Sequence, residues 1–179
     1  AATLSINDPA VFIPGSIPLG GRSAPVSGTY AGTVSDLDYR VVNAATGAVV
    51  KPWARVASPI IAGNVWSANV FVPMCSTAVN PKIKIQMRAA NDTDATVLST
   101  PTCVGLTVGS YGQSNSANRG TGSATPHAVA HAYTWASDAS SVWQGGGTTT
   151  DLRSQRWAAK LAEITGIPCG VLVLGKASA

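Results

Sequence analysis

Charge is scarce in this chain. Only 11% of its 179 residues are Asp, Glu, Lys or Arg, against 45% hydrophobic. That balance excludes an intrinsically disordered chain, which needs low hydrophobicity and high charge. Long apolar runs are also missing. None approaches the ~20 residues a bilayer-spanning helix requires, and no basic-then-apolar leader opens the sequence. Membrane insertion is therefore not expected. Cysteine is limited to Cys75, Cys103 and Cys169, whose spacing suits neither a zinc site nor a CxxC redox motif. A Cys75–Cys103 disulfide, in an exported protein, and free buried thiols are both open readings.

The twelve basic residues are scattered. The densest group, "PKIKIQMR", alternates with apolar residues, which places Lys82, Lys84, Gln86 and Arg88 on one strand face and Ile83, Ile85 and Met87 on the other. No aromatic residue interleaves with these charges. A solvated strand face is expected there, and a nucleic-acid partner is not.

What is present divides into two grammars. Up to about residue 103 the sequence is strand-length runs with regular punctuation. "GTVSDLDYRVVN" and "GAVVKPWARVA" flank the turn "NAATG", "NVWSANVFVP" and "KIKIQMRA" alternate, and "ANDTDA" reads as a turn. This predicts an antiparallel, Ig-like β-sandwich over residues 1–103. Pro9, Pro14, Pro18 and Pro25 argue against helix and against a central strand in the first thirty residues. From residue 104 the pattern changes. "CVGLTVG" is a continuous apolar run, as in a strand covered on both faces. A polar, glycine-rich segment follows. "TTTDLRSQRWAAKLAEITG" then predicts a helix, capped by Thr150 or Asp151, with Trp157, Ala158, Leu161 and Ile164 as its apolar stripe and Gly166 as its stop. "IPCGVLVLG" is a second buried strand. Strand, crossover with helix, strand is the unit of a parallel sheet.

Ligands of open parallel sheets bind beyond the carboxyl ends of the strands, and the polar segment "GSYGQSNS" begins at such an end. A serine on a tight turn there can expose its hydroxyl and gather main-chain N–H donors for an oxyanion. His127 and His131, four apart, could share a helix face, but no carboxylate or cysteine lies near enough to complete a metal site, and packing is the default reading. "QGGGTTTD" lacks the lysine of a P-loop and reads as a loop. Trp66 and Trp157 read as core residues, whereas Trp135 and Trp143 fall in the polar segment and are candidates for lining a substrate cleft.

"VGLTVGSYGQSNS" resembles the first signature block of the SGNH-type hydrolases, in particular the sialate O-acetylesterase-like carbohydrate esterases, whose nucleophile lies in a Gly-Gln-Ser-Asn segment after the first strand. The order of parts is similar as well: a sandwich, the GQSN strand, the aromatic stretch "AYTWASDASSVWQGGG", the helix "SQRWAAKLAEITGIP" and the strand "GVLVLGKAS". The likeness covers roughly residues 100–179. It implies that residues 104–179 are the first part of a flavodoxin-like, three-layer α/β hydrolase domain. It implies Ser114 as nucleophile and oxyanion donor, Gly175 as a further oxyanion donor, and Gln113 and Asn115 as substrate-binding neighbours. The pattern departs at Lys176, where many relatives carry a second glycine, and at Ser116, where a bulky residue is common.

The family's base is a histidine in an Asp-x-x-His segment, with an asparagine from a third block. Neither segment occurs here, so a larger domain is expected, with residues 1–179 inactive on their own. The implied activity is deacetylation of an acetylated carbohydrate or surface polysaccharide, with no metal or organic cofactor, in an extracellular, cell-surface or virion-associated setting. The rival expectation is a non-catalytic glycan-binding or attachment module of a larger assembly.

Overall fold

The structure, a computed structural model, describes residues 1–110, 132–135, 143–145 and 152–173. In chain order its strands are β1 (Thr3–Leu4), β2 (Phe12–Pro14), β3 (Gly21–Ala31), β4 (Leu37–Asn43), β5 (Val49–Arg55), β6 (Ile60–Ala62), β7 (Val65–Pro73), β8 (Ile83–Ala89), β9 (Asp92–Leu98), β10 (Cys103–Ser110), β11 (Ala132–Trp135) and β12 (Trp143–Gly145). Helix α1 (Leu152–Thr165) and β13 (Cys169–Val173) follow. The described chain is mostly β-strand, largely in antiparallel sheets, with one helix.

Two four-stranded antiparallel sheets, ordered β1-β3-β7-β6 and β5-β4-β8-β9, face each other. Alternation decides which side chains meet. In β8, Ile83, Ile85, Met87 and Ala89 are buried while Lys84, Gln86 and Arg88 between them are half-buried. Val70 and Val72 of β7 and Leu37 and Val41 of β4 are fully covered in the same core. Each fully buried side chain of this size contributes about 1.5–3 kcal/mol. Trp66 fills the centre at 1% exposure, and its indole N–H is satisfied by the carbonyls of Ser5 and Thr29. The expectation that Trp66 is a core residue holds.

Proline did not exclude a long strand. β3 is 11 residues and pairs with β7 from Gly21↔Pro73 to Thr29↔Val65. The carbonyls of Ser27 and Thr29 accept from Asn7 and Ser5, on the side away from β7. Pro25, at the same phase as those two, turns its missing donor to that side, beyond the point where the N-terminal segment pairs. "ANDTDA" is likewise less of a turn than its composition suggests. The reversal is Ala90-Asn91, and Asp92 already opens β9.

A third sheet has the order β12-β11-β13-β10-β2. β2, β10, β13 and β11 run parallel, and β12 pairs antiparallel with β11. Thus β10 and β13 are flanked on both sides. One flank, Phe12–Pro14, comes from the stretch assigned to the sandwich. The other comes from the aromatic stretch of the polar segment, where Ala132–Trp135 and Trp143–Gly145 form an antiparallel pair. β10 starts inside the sandwich core, with Cys103 and Val104 fully buried beside Phe12. Its second half is less covered than a two-sided strand requires, because Thr107 and Gly109 are exposed.

Helix α1 ends where expected, at Gly166, whose φ of 67° suits a left-handed stop. The face it buries includes Ala158 and Leu161 of the expected stripe but not Ile164. Ala158, Ala159 and Ala162 pack with Cys169 and Val171 of β13, Leu161 is partly buried, and Ile164 is 72% exposed. The small alanine side chains let the helix approach the sheet closely, which turns Ile164 outward. The Trp157 side chain and the cap at Thr150 or Asp151 lie outside the described residues. The Gly166 carbonyl accepts a hydrogen bond from the Thr77 N–H of the loop after β7.

Gly105 joins the two parts of the molecule. A β-carbon there would collide with the Pro168 carbonyl oxygen and press on the Phe12 ring. Backbone cannot rotate away as a side chain can, so Gly105→Ala should destabilise the protein by about 2 kcal/mol or more. Urea unfolding with an unchanged midpoint would contradict this packing.

Candidate active site at the carboxyl edge of the parallel sheet

The parallel register brings three strand ends to one edge. Ser110 of β10 pairs with Val173 of β13, and Trp135 of β11 pairs with Leu172. Ser114 follows Ser110 by four residues, and Gly175 follows Val173 by two. Ser114, Gln113, Asn115 and Gly175 themselves lie outside the described residues, as do His127, His131, Ser116 and Lys176. Trp135 and Trp143 are described as backbone only. They are direct register partners across the β11–β12 pair, a juxtaposition that the sequence did not reveal.

Other places for chemistry are poorer. A hollow of about 390 Å³ lies over the outer face of β3 and β7, bounded by Pro25, Ser58, Ile60 and Asn69. Its lining carries no titratable group, so it offers no acid or base. Among the described residues no group of His, Cys, Asp and Glu could hold a metal ion. No helix among them is long and apolar enough to cross a membrane.

The Asp36 and Asp92 carboxyls are both shifted downward. The Arg55 guanidinium beside Asp36 holds its carboxyl below the usual range. The Ala2 N–H, donating at 2.7 Å, does the same to Asp92. A general acid at neutral pH needs the opposite shift, so these two groups serve the fold.

Cysteine is the other nucleophile type on hand. All three thiols are free and buried, which resolves the two readings of Cys75 and Cys103. Cys75 and Cys103 are hydrogen-bond partners through sulfur. That contact lowers the Cys75 pKa, burial opposes it, and the Val104 N–H at 3.3 Å from the sulfur adds to the lowering. Burial pushes the Cys169 thiol up. Exposure is 2% at Cys75 and 0% at Cys103 and Cys169, which closes all three to substrate. Iodoacetamide should therefore modify the native protein far more slowly than the urea-unfolded chain. As pH rises from 7 to 9, modification should appear at Cys75 before Cys169, read by peptide mass spectrometry. Rapid native labelling of any of the three would contradict the burial.

No family model matches this chain, and no curated protein matches it.

Proposed function

We propose that this chain belongs to a serine esterase that removes acetyl groups from a carbohydrate. In this reading the five-stranded sheet with α1 is the opening part of an α/β hydrolase domain of the SGNH type. Ser114 attacks the acetyl carbonyl, and its own N–H, with that of Gly175, binds the oxyanion. Gln113 and Asn115 contact the substrate, Trp135 and Trp143 line its cleft, and the sandwich helps hold the polysaccharide. Each well-aimed oxyanion donor is typically worth about 3–4 kcal/mol in the transition state. A histidine is required as base, then acid, and is not assigned to a described residue.

The observation that carries this reading is the shared edge. β10 and β13 end in register at Ser110↔Val173, so the segments bearing Ser114 and Gly175 depart from adjacent strands at the same end of the sheet. That is the end at which parallel sheets bind ligands. The sequence around Ser114 supplies small and polar residues.

A fluorophosphonate should label the full-length polypeptide at Ser114, found by peptide mass spectrometry, and Ser114→Ala should abolish both labelling and acetate release from acetylated xylan. Loss of the nucleophile typically costs several orders of magnitude in rate. Acetate release that survives Ser114→Ala would overturn the assignment, as would an intact polypeptide that is neither labelled nor active. In the latter case the attachment-module reading takes its place.

A further inference from the structure

The outward face of the β5-β4-β8-β9 sheet carries an arrangement that no esterase step uses. Register places Arg55 of β5 and Arg88 of β8 on either side of Asp38 of β4. Asp38 holds both. Its Oδ1 accepts from Arg55 Nε at 2.7 Å, and its Oδ2 accepts from Arg88 Nε and Nη2 at 3.0 and 2.9 Å. Arg55 Nη1 also donates to Asp36 at 2.6 Å. One residue pair along, Arg40 donates through Nε to Gln86 at 2.6 Å.

Trp53 completes the arrangement. The Arg88 and Arg40 guanidinium carbons lie 4.2 and 4.8 Å from its ring centroid. The "PKIKIQMR" strand therefore does have an aromatic among its charges, brought from β5 by the sheet. The expectation of charges without aromatics held only along the sequence.

The consequence is a set of guanidinium groups fixed in position before any ligand arrives. Arginine's rotamer freedom is a large part of the cost of binding through it, and here the carboxylates, Gln86 and the indole have already removed most of it. Among the described residues Arg40 Nη1 and Nη2, Arg55 Nη2 and Arg88 Nη1 make no hydrogen bond to protein, and Arg55 is 57% exposed. Lys84 continues the row beside Val42. Arg40, Arg55, Arg88 and Lys84 outnumber Asp36 and Asp38, and both of those carboxylates are engaged.

Stacking and hydrogen-bond geometry select the kind of anion. A single-stranded nucleic acid binds through open aromatic faces on which its bases stack. Here the indole is taken up by the Arg40 and Arg88 guanidinium groups, and the donors left over are guanidinium N–H groups, which suit carboxylates. A chain of sugar carboxylates needs no aromatic face and matches that layout better. We propose that this face binds an acidic polysaccharide, with Arg40, Arg55 and Arg88 holding its carboxylates. The site lies wholly in the sandwich and does not rest on the esterase reading.

The test is titration calorimetry of the full chain with hyaluronate, whose carboxylates fall on every second sugar, at low ionic strength. Dextran serves as the neutral control and oligo(dT) as the nucleic-acid control. Hyaluronate should bind, dextran should not, and binding should weaken steeply as salt shortens the screening length. Arg40→Gln leaves the Asp38 network intact, so its melting temperature should stay within a few degrees of the parent. It should weaken hyaluronate about tenfold, the scale of one charge-assisted hydrogen bond. Arg55→Gln should do the same, and Lys160→Gln on α1 should change nothing. The proposal fails if hyaluronate binds no better than dextran, if oligo(dT) binds more tightly, or if Arg40→Gln binds as the parent does. It also fails if Lys160→Gln weakens binding as much as Arg40→Gln.

Discussion

The molecule depends on the close approach of backbone at Gly105. There the Pro168 carbonyl oxygen and the Phe12 ring both crowd the position that a side-chain carbon would take. This contact lets a single strand belong to two cores. Cys103 and Val104 complete the sandwich interior, and Leu106, two residues on from Val104, packs on the alanine face of α1 through the smaller core of Cys169 and Val171. The sheet edge that bears the candidate site is therefore fixed to the sandwich by continuous chain and shared apolar packing.

That arrangement gives the two proposed sites different foundations. The polar segment carrying Ser114 departs from the carboxyl edge of parallel strands, where direction alone gathers loop segments. The guanidinium row is built on a sheet face, where each charge is set by register and held by a neighbour. Neither site needs the other. Taken together, the two proposals have the chain grip a glycan with one sheet and act on it at the edge of another.

Much of this was legible in the sequence where the physics is local. β8 announced itself because Ile83, Ile85, Met87 and Ala89 alternate with polar residues. The end of α1 was readable because a left-handed glycine at 166 is a local stop signal. What stayed hidden was tertiary. Pro25 is tolerated because its nitrogen points away from β7, which no propensity scale records. Phe12–Pro14 is too short to be recognised as a strand until β10 supplies its partner. The helix stripe was legible at Ala158 and Leu161 and misled at Ile164, which is apolar yet exposed while Ala159 and Ala162 meet the sheet. Of the candidate site, the arriving strand was legible. The alignment of Ser110 with Val173 and of Trp135 with Trp143 was not, since register between distant segments leaves no mark in either one.

The bond from the Thr77 N–H to the Gly166 carbonyl has a further consequence. It caps the open end of α1 with the loop that also presents Cys75 to Val104. Fraying of that helix terminus and loosening of the loop are thus one event, not two. The exchange of a single amide proton with solvent, at Thr77, reports whether the helical layer is seated on the sandwich.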